Sequence, residues 1–447
     1  MFGKDGQSSP ASDSPLAPGV QWREVFGWAL YDFANSGYST VVLTAVYNVF
    51  FVGVIARGAP WATLLWTATL ATSSLLALLL APPLGAWADT HGRKKRLLVI
   101  STFGCIIGTS ALAWPGQGDL LSACLFLILS SVCFSLGEGA IAAFLPELAR
   151  PASLGRLSGW GWSFGYFGGM LTLGLALAWV LHAQGQNIAP AVYVPQTMLI
   201  VALVFALACI PTFVFLRERA GPHCKNGDGS LNVSLASQLG ASWNRVVRTA
   251  KAVREFQDFF NLLICAVFYQ AGIAVVIALA AVYAESVMKF SMTQTMSLVF
   301  VVNIAAACGA FAFGYVQDQI GHRRALALTI CGWIAMVLIV ATTSSLNAFW
   351  AAAALAGLCM GSSQSCGRAL AGLFAPPERV AEFFGLWTMA VRIASIIGPL
   401  SYGLVTWATG GNHRLAILST GVFFAIGLLL LARVDVERGS RAARSVH

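Results

Sequence analysis

The chain has 447 residues, 57% of them hydrophobic and 10% charged, with a formal net charge of +9 and a mean hydropathy of +0.74. A water-soluble domain carries about 25% charged residues, so this composition excludes a soluble globular protein. The positive charge does not mark a nucleic-acid binder, because most basic residues fall in loops between apolar stretches.

Residues 1–23 are rich in Ser, Pro, Gly and Asp and lack the basic start and apolar core of a signal peptide. They are expected to form a disordered cytoplasmic tail. Twelve apolar segments follow, at 24–56, 61–86, 97–114, 119–145, 157–181, 196–216, 258–284, 293–314, 326–344, 348–374, 384–408 and 414–432. Spanning a bilayer takes about 20 apolar residues in a helix. These segments are too long and too uniformly apolar for barrel strands, so they read as helices. The expected fold is an all-α integral membrane protein with twelve transmembrane helices in two pseudo-symmetric six-helix bundles, 24–216 and 258–433.

The stretch 217–257 divides the bundles as a cytoplasmic linker. Within it Trp243, Val246, Val247, Ala250, Val253 and Phe256 recur at helical spacing, interleaved with Arg245, Arg248, Lys251 and Arg254. That pattern fits either a helix lying on the membrane surface or a plain connecting helix with a basic face. Residues 434–447 form a cytoplasmic tail. With both termini inside, 22 of the 27 basic residues are cytoplasmic, while Arg57, Lys289 and Arg414 are external. The excess of inside charge sets this orientation. Nine of the ten cysteines lie in apolar segments without metal-ligand spacing, and read as packing residues.

A short polar run stands between the second and third segments: Gly85-Ala-Trp-Ala-Asp89-Thr-His-Gly92-Arg93-Lys94. It recurs between the eighth and ninth as Gly314-Tyr-Val-Gln-Asp318-Gln-Ile-Gly321-His322-Arg323, with the glycines and aspartate shifted by the same 229 residues. Such internal repeats are a mark of transporters, whose solute sites lie between the repeats. Gly85 and Gly314 suit close helix approach. Gly92 and Gly321 suit a turn with positive φ. Asp89 can accept from Arg93 or from a neighbouring helix N-terminus. The second copy carries His322 where the first has Arg93, which weakens its charge network.

These runs resemble the inner-loop signature of the major facilitator superfamily, which the twelve spans and long middle loop also match. Further runs are similar to its vacuole-effluxer subgroup: Trp28-Ala-Leu-Tyr31-Asp32-Phe-Ala-Asn35-Ser36, Gly155 to Gly169, Gly361-Ser-Ser-Gln364-Ser-Cys-Gly-Arg368, and Glu382-Phe383-Phe384-Gly385. The resemblance implies contacts on the cytoplasmic side that join the halves and break when the carrier opens inward. It also implies amino acids or similar small polar solutes as cargo.

Four ionisable residues fall within spans: Asp32, Glu138, Arg368 and Arg392. Their sequence positions put them in one layer about 9 to 12 Å from the cytoplasmic ends. Charges in hydrocarbon usually face a cavity and pair. Three readings stay open: a solute site, with a ligand ammonium near the acids and its carboxylate on Arg368, a salt-bridge gate, or pairs that serve packing alone. Asp32 or Glu138 is a candidate carrier of a coupling proton, and sodium coupling is equally open. Asn35, Gln364 and Asn303 read as interhelical hydrogen-bonding groups or solute contacts. Glycines 161, 165, 168 and 169 form a helix-packing stripe, and Tyr31, Trp160, Trp162 and Trp387 read as packing or pathway residues.

No phosphate loop, GxSxG elbow or HExxH run occurs, so neither ATP-driven transport nor a familiar enzyme is expected. No cofactor or metal and no nucleic-acid partner is expected. The reading is a non-enzymatic secondary transporter, functional as a monomer, in a bacterial plasma membrane or a eukaryotic vacuolar one. A transporter-like sensor or scaffold without flux and a lipid flippase are the alternatives.

Overall fold

The computed structural model describes residues 14–57, 59, 62–219, 240, 256–290, 292–410 and 412–444. Twelve long helices carry the chain. They are α1 Trp22–Tyr38, α2 Ala62–His91, α3 Lys94–Ala111, α4 Leu120–Ala142, α5 Leu154–Gly185, α6 Pro190–Phe215, α7 Gln257–Ser286, α8 Met292–Ile320, α9 His322–Thr342, α10 Leu346–Phe374, α11 Val380–Ala408 and α12 His413–Leu431. Wide π turns at Ser39–Ala45 and Phe51–Ile55 continue α1. A short α13, Val436–Arg444, closes the chain. The described residues hold no strand, only one isolated bridge between Leu16 and Ala149.

Eleven of these helices have the length and hydropathy to cross a bilayer. The other, α3, begins on Lys94, Lys95 and Arg96, which shortens its apolar stretch. Leu199, Leu203, Leu207, Ile210 and Val214 form an exposed apolar stripe along one face of α6. A face like that belongs in lipid, where an apolar surface costs nothing.

The packing repeats. In the first half α1 packs on α5 and α6, α2 on α4, and α3 on α4 and α6. In the second, α7 packs on α11 and α12, α8 on α10, and α9 on α10 and α12. Adding six to each helix number turns the first set into the second. The halves meet along two seams, α2 against α11 and α5 against α8, which the same operation exchanges.

Helix ends are satisfied in parallel ways. The ammonium of Lys95 donates to the carbonyls of Phe213 and Leu216 at the end of α6, at 2.8 and 2.7 Å. The guanidinium of Arg323 donates to the carbonyl of Ala432, just past α12, at 2.9 Å. Basic groups there answer the unpaired carbonyls and the negative end of the helix dipole.

Two expectations change. Residues 14–23 are not a loose tail: Leu16 is buried, Arg150 N–H donates to Pro15 O, and α1 starts at Trp22. Backbone pairing with residues 148–150 orders this stretch, which composition alone could not reveal; residues 1–13 lie outside the described residues. The polar signatures are also not loops. Helices α2 and α8 run on to His91 and Ile320, so Gly85, Asp89, Gly314 and Asp318 are helical. The chain turns only at Gly92 (φ 59°) and Gly321 (φ 89°). The basic linker helix expected near 243–256 lies almost wholly outside the described residues.

Candidate functional site

The signature end of the bundle closes with two matching clasps. Asp89, at the end of α2, accepts the backbone amides of Ala381 and Glu382 in the first turn of α11, at 3.2 and 2.8 Å. Asp318, at the end of α8, accepts those of Gly155 and Arg156 in the first turn of α5, at 3.0 and 3.1 Å. Each carboxylate meets the positive end of a helix from the other half. Between the two outcomes open to Asp89, the helix N-terminus is the one realised. Arg93 is exposed, and Lys94 is a cation near Asp89, at 3.6 Å.

Lys94 also bonds Glu147 at 2.8 Å. The other oxygen of Glu147 accepts the Arg219 amide, and Arg219 reaches Glu24 at 2.8 Å. Glu218 accepts the amides of Lys94 and Lys95 at 2.6 and 3.2 Å. Burial pushes its carboxyl above the usual range, partly offset by those amides. Among the described residues the second clasp has no matching cation for Asp318 beyond Arg156 of α5, whose Nε stands 3.8 Å away. Arg323 points instead to the end of α12.

Glycines allow the seams to close. A Cβ on Gly85 would run into the carbonyl of Ala381, and one on Gly159 into that of Ala310. Gly314 is roomier, with its nearest neighbour atom, Gly155 O, at 3.2 Å from a Cβ position. The glycine stripe of α5 rests on α1: Gly165 and Gly169 face Ser36, and Gly168 faces Phe33.

The four intramembrane charges form two ion pairs, each joining the halves. Arg368 of α10 donates to Asp32 of α1 at 2.6 Å. Arg392 of α11 donates to Glu138 of α4 at 2.8 Å. The pairs differ in surroundings. Arg368 and Asp32 are buried, with side chains 7% and 11% exposed. Arg368 also donates to the hydroxyl and carbonyl of Ser158, and its guanidinium lies over the rings of Trp28 (4.8 Å) and Trp162 (5.3 Å). Glu138 is 40% exposed, while Nε of Arg392 is buried without a hydrogen-bond partner. The open side of Glu138 therefore keeps capacity for another ligand.

The neutral polar residues divide. Gln364 pairs with Gln270 of α7 through both amides, at 2.9 and 3.3 Å. Asn303 turns back to Val299 O in its own helix rather than across to another. Asn35 is buried with neither amide atom partnered. Tyr31 bonds Thr102 within the first half, and Trp387 packs against Gly367. Sequence reasoning missed Ser158, Gln270 and Gln317. Lone Ser and Gln side chains carry no pattern that separates cross-seam contacts from the many local ones.

A groove of about 510 Å³ lies between α5 and α8, lined by Trp160, Phe164, Phe167, Ile304 and Phe311. The hydroxyl of Ser163 beside it is spent on Ala307 O. It offers a soluble solute nothing to bind, so the charged seam is the candidate site.

The profile of the vacuole effluxer Atg22-like family matches residues 62–444. The chain belongs to that family. A Bacillus subtilis (strain 168) relative, an uncharacterized MFS-type transporter YxiO, is 26% identical over 419 residues, covering 92% of this chain and 94% of that protein. Autophagy-related protein 22-1 of Penicillium rubens is 25% identical over 304 residues, 64% of this chain and 50% of that one. The chain thus spans about half the length of such fungal relatives. Among solved structures, the human organic anion transporter MFSD10 (TETRAN) superposes with a TM-score of 0.71 at 16% identity, covering 92% of this chain and 99% of that one. The proton:xylose symporter XylE gives 0.66 at 14%, covering 92% and 94%. These likenesses show the major facilitator fold, as the sequence resemblance implied. This vacuole-effluxer family member is a multi-pass membrane transporter, in a family of carriers rather than enzymes.

Proposed function

We propose that the protein is a secondary transporter that moves a small polar solute, amino acids first among them, by alternating access. The observation that carries this reading is the Asp32–Arg368 ion pair, 2.6 Å across the seam and almost dry. A buried pair is weak as a source of stability but costly to break one-sidedly. It suits a gate, which must hold one state and then let go. In this reading the signature end is cytoplasmic and closed, so the solute site opens to the other side.

The more open Glu138–Arg392 pair serves the solute. A zwitterion's ammonium would meet the exposed Glu138, and its carboxylate the Arg392 guanidinium once the pair opens. Asp32 or Glu138 is also the proposed carrier of a coupling proton. The relatives support the general class only: one structural neighbour carries organic anions and another couples xylose to protons. The protein is placed in the plasma membrane if bacterial or the vacuolar membrane if eukaryotic, acting as a monomer.

The test is flux. Purified protein in proteoliposomes is screened with radiolabelled amino acids, with and without a pH gradient. Saturable, gradient-driven uptake is expected. A protein without flux would be a sensor or scaffold, and movement of labelled lipid alone would make it a flippase.

A further inference from the structure

One chain of hydrogen bonds joins the signature end of α8 to the buried ion pair. Gln317 precedes Asp318 and is fully buried. Its Nε2 donates to Gly155 O at 2.8 Å and to Ser365 Oγ at 2.9 Å. The Gly155 carbonyl can only accept, which fixes the amide's orientation, so its Oε1 faces Nδ1 of His322 at 3.3 Å. Ser365 in turn offers its carbonyl to the hydroxyl of Ser158, at 2.9 Å. Ser158 accepts from Arg368 at both its hydroxyl (3.2 Å) and its carbonyl (2.8 Å), and Arg368 grips Asp32. The path runs α8, α10, α5, α10, α1, with Gly155 of α5 as a branch from Gln317, and three of its four steps cross between halves.

Among the described residues the other seam shows no such path. Ala88 stands at the place in the first signature that Gln317 holds in the second, with a side chain that bonds nothing. The two clasps are therefore alike at their aspartates and different one residue before. We propose that Gln317 is a positioning residue that couples the Asp318 clasp to the Asp32–Arg368 pair, so that the α5/α8 seam and the ion pair release together. The α2/α11 seam lacks that link. This rests on the alternating-access reading.

The physical reason is the price of partial release. All members of the path are buried, and a buried amide or guanidinium left without a partner is destabilised. If α5 slides off Asp318, Gln317 loses Gly155 O, and Ser158 shifts under Arg368. Each broken link strands the next donor, so the low-energy outcomes are all bonds made or all bonds exchanged for water. The Trp28 and Trp162 rings hold the guanidinium at one end, and the helix N-terminus holds Asp318 at the other.

The test is a double-mutant cycle read by hydrogen exchange of the full chain in lipid nanodiscs, with no solute needed. The reporters are the Gly155 and Arg156 amides, which Asp318 holds, and the Ala381 and Glu382 amides, which Asp89 holds. Asp32→Asn is expected to raise exchange at Gly155 and Arg156 about tenfold. In a Gln317→Met background, which keeps the volume and removes the donors, the same Asp32→Asn change should add less than about twofold. Exchange at Ala381 and Glu382 should not respond to Gln317→Met. Ser365→Ala removes a single link and should reproduce the loss of coupling, even if Gln317→Met does not fold. Equal effects of Asp32→Asn in both backgrounds would overturn the proposal, because a merely structural Gln317 gives additive changes. Lost flux with coupling intact would strike the transport reading alone.

Discussion

Asp89 and Asp318 do the same thing 229 residues apart: each holds the first-turn amides of a helix from the opposite half. The helix amides make both contacts, and the basic residues of the two runs divide: Lys94 stands by Asp89 and bonds Glu147, Arg93 faces the solvent and Arg323 caps α12. Replacing either aspartate with Asn keeps an acceptor but removes the charge at the helix terminus. Each should weaken closure by about 0.3–2 kcal/mol. Exchange at the clasped amides, measured separately for the two seams, should rise only at the seam that was changed.

The glycines should not be equivalent. Gly85→Ala and Gly159→Ala place a methyl against a backbone carbonyl, which cannot move aside, whereas Gly314→Ala meets the α5 backbone at 3.2 Å and needs it to give by only a few tenths of an ångström. Overpacking of this kind costs about 1–3 kcal/mol. The first two variants should lose closure and flux. Gly314→Ala should keep most of both, as judged by uptake rate and thermal melting.

Arg368 should tolerate no replacement. Arg368→Ala leaves Asp32 buried and alone, a loss of about 3–5 kcal/mol, and should abolish flux. Arg368→Lys should fail too, because an ammonium cannot serve Asp32, Ser158 and two indole rings at once. The paired change Asp32→Asn with Arg368→Gln should recover much of the thermal stability while flux stays absent. Recovery of flux would count against the gate.

Glu218 makes a pH prediction. Burial raises its carboxyl above the ordinary value of 4.5, with the Lys94 and Lys95 amides opposing. The folded form therefore holds the proton more tightly than the unfolded chain. Its contribution is fully present below the unfolded value and is lost as pH rises through the folded one. The melting temperature of the natural protein should thus fall relative to that of Glu218→Gln as pH rises from about 4 to 7. A gap that stays constant, or widens in favour of the natural protein, would contradict the assignment.

Much of this was legible in the residues. The spacing of apolar segments marked the helices, and the repeated Gly-x-x-x-Asp-x-x-Gly run marked the two halves and their turns. Depth along a helix placed Asp32, Glu138, Arg368 and Arg392 in one layer. Depth does not give rotation, however, so which acid met which arginine could not be read, nor that one pair is dry and the other open. The ordering of residues 14–21 was hidden for a related reason. A Ser- and Pro-rich stretch looks disordered until a partner backbone, here residues 148–150, supplies its hydrogen bonds. Gln317 was invisible as a contact because it occupies a variable place inside the signature, and only the facing helix gives it meaning.

The most direct test of alternating access is to hold the seam shut. Cysteines replacing Arg156 and Asp318, whose side chains face each other across α5 and α8, can be bridged through reducible disulfides by a short bis-methanethiosulfonate reagent in a background with Cys224, Cys308 and Cys331 changed to Ser. Uptake into proteoliposomes is measured before bridging, after bridging and after reduction. The account predicts that flux stops on bridging and returns on reduction. Flux that continues through the bridged protein would contradict it.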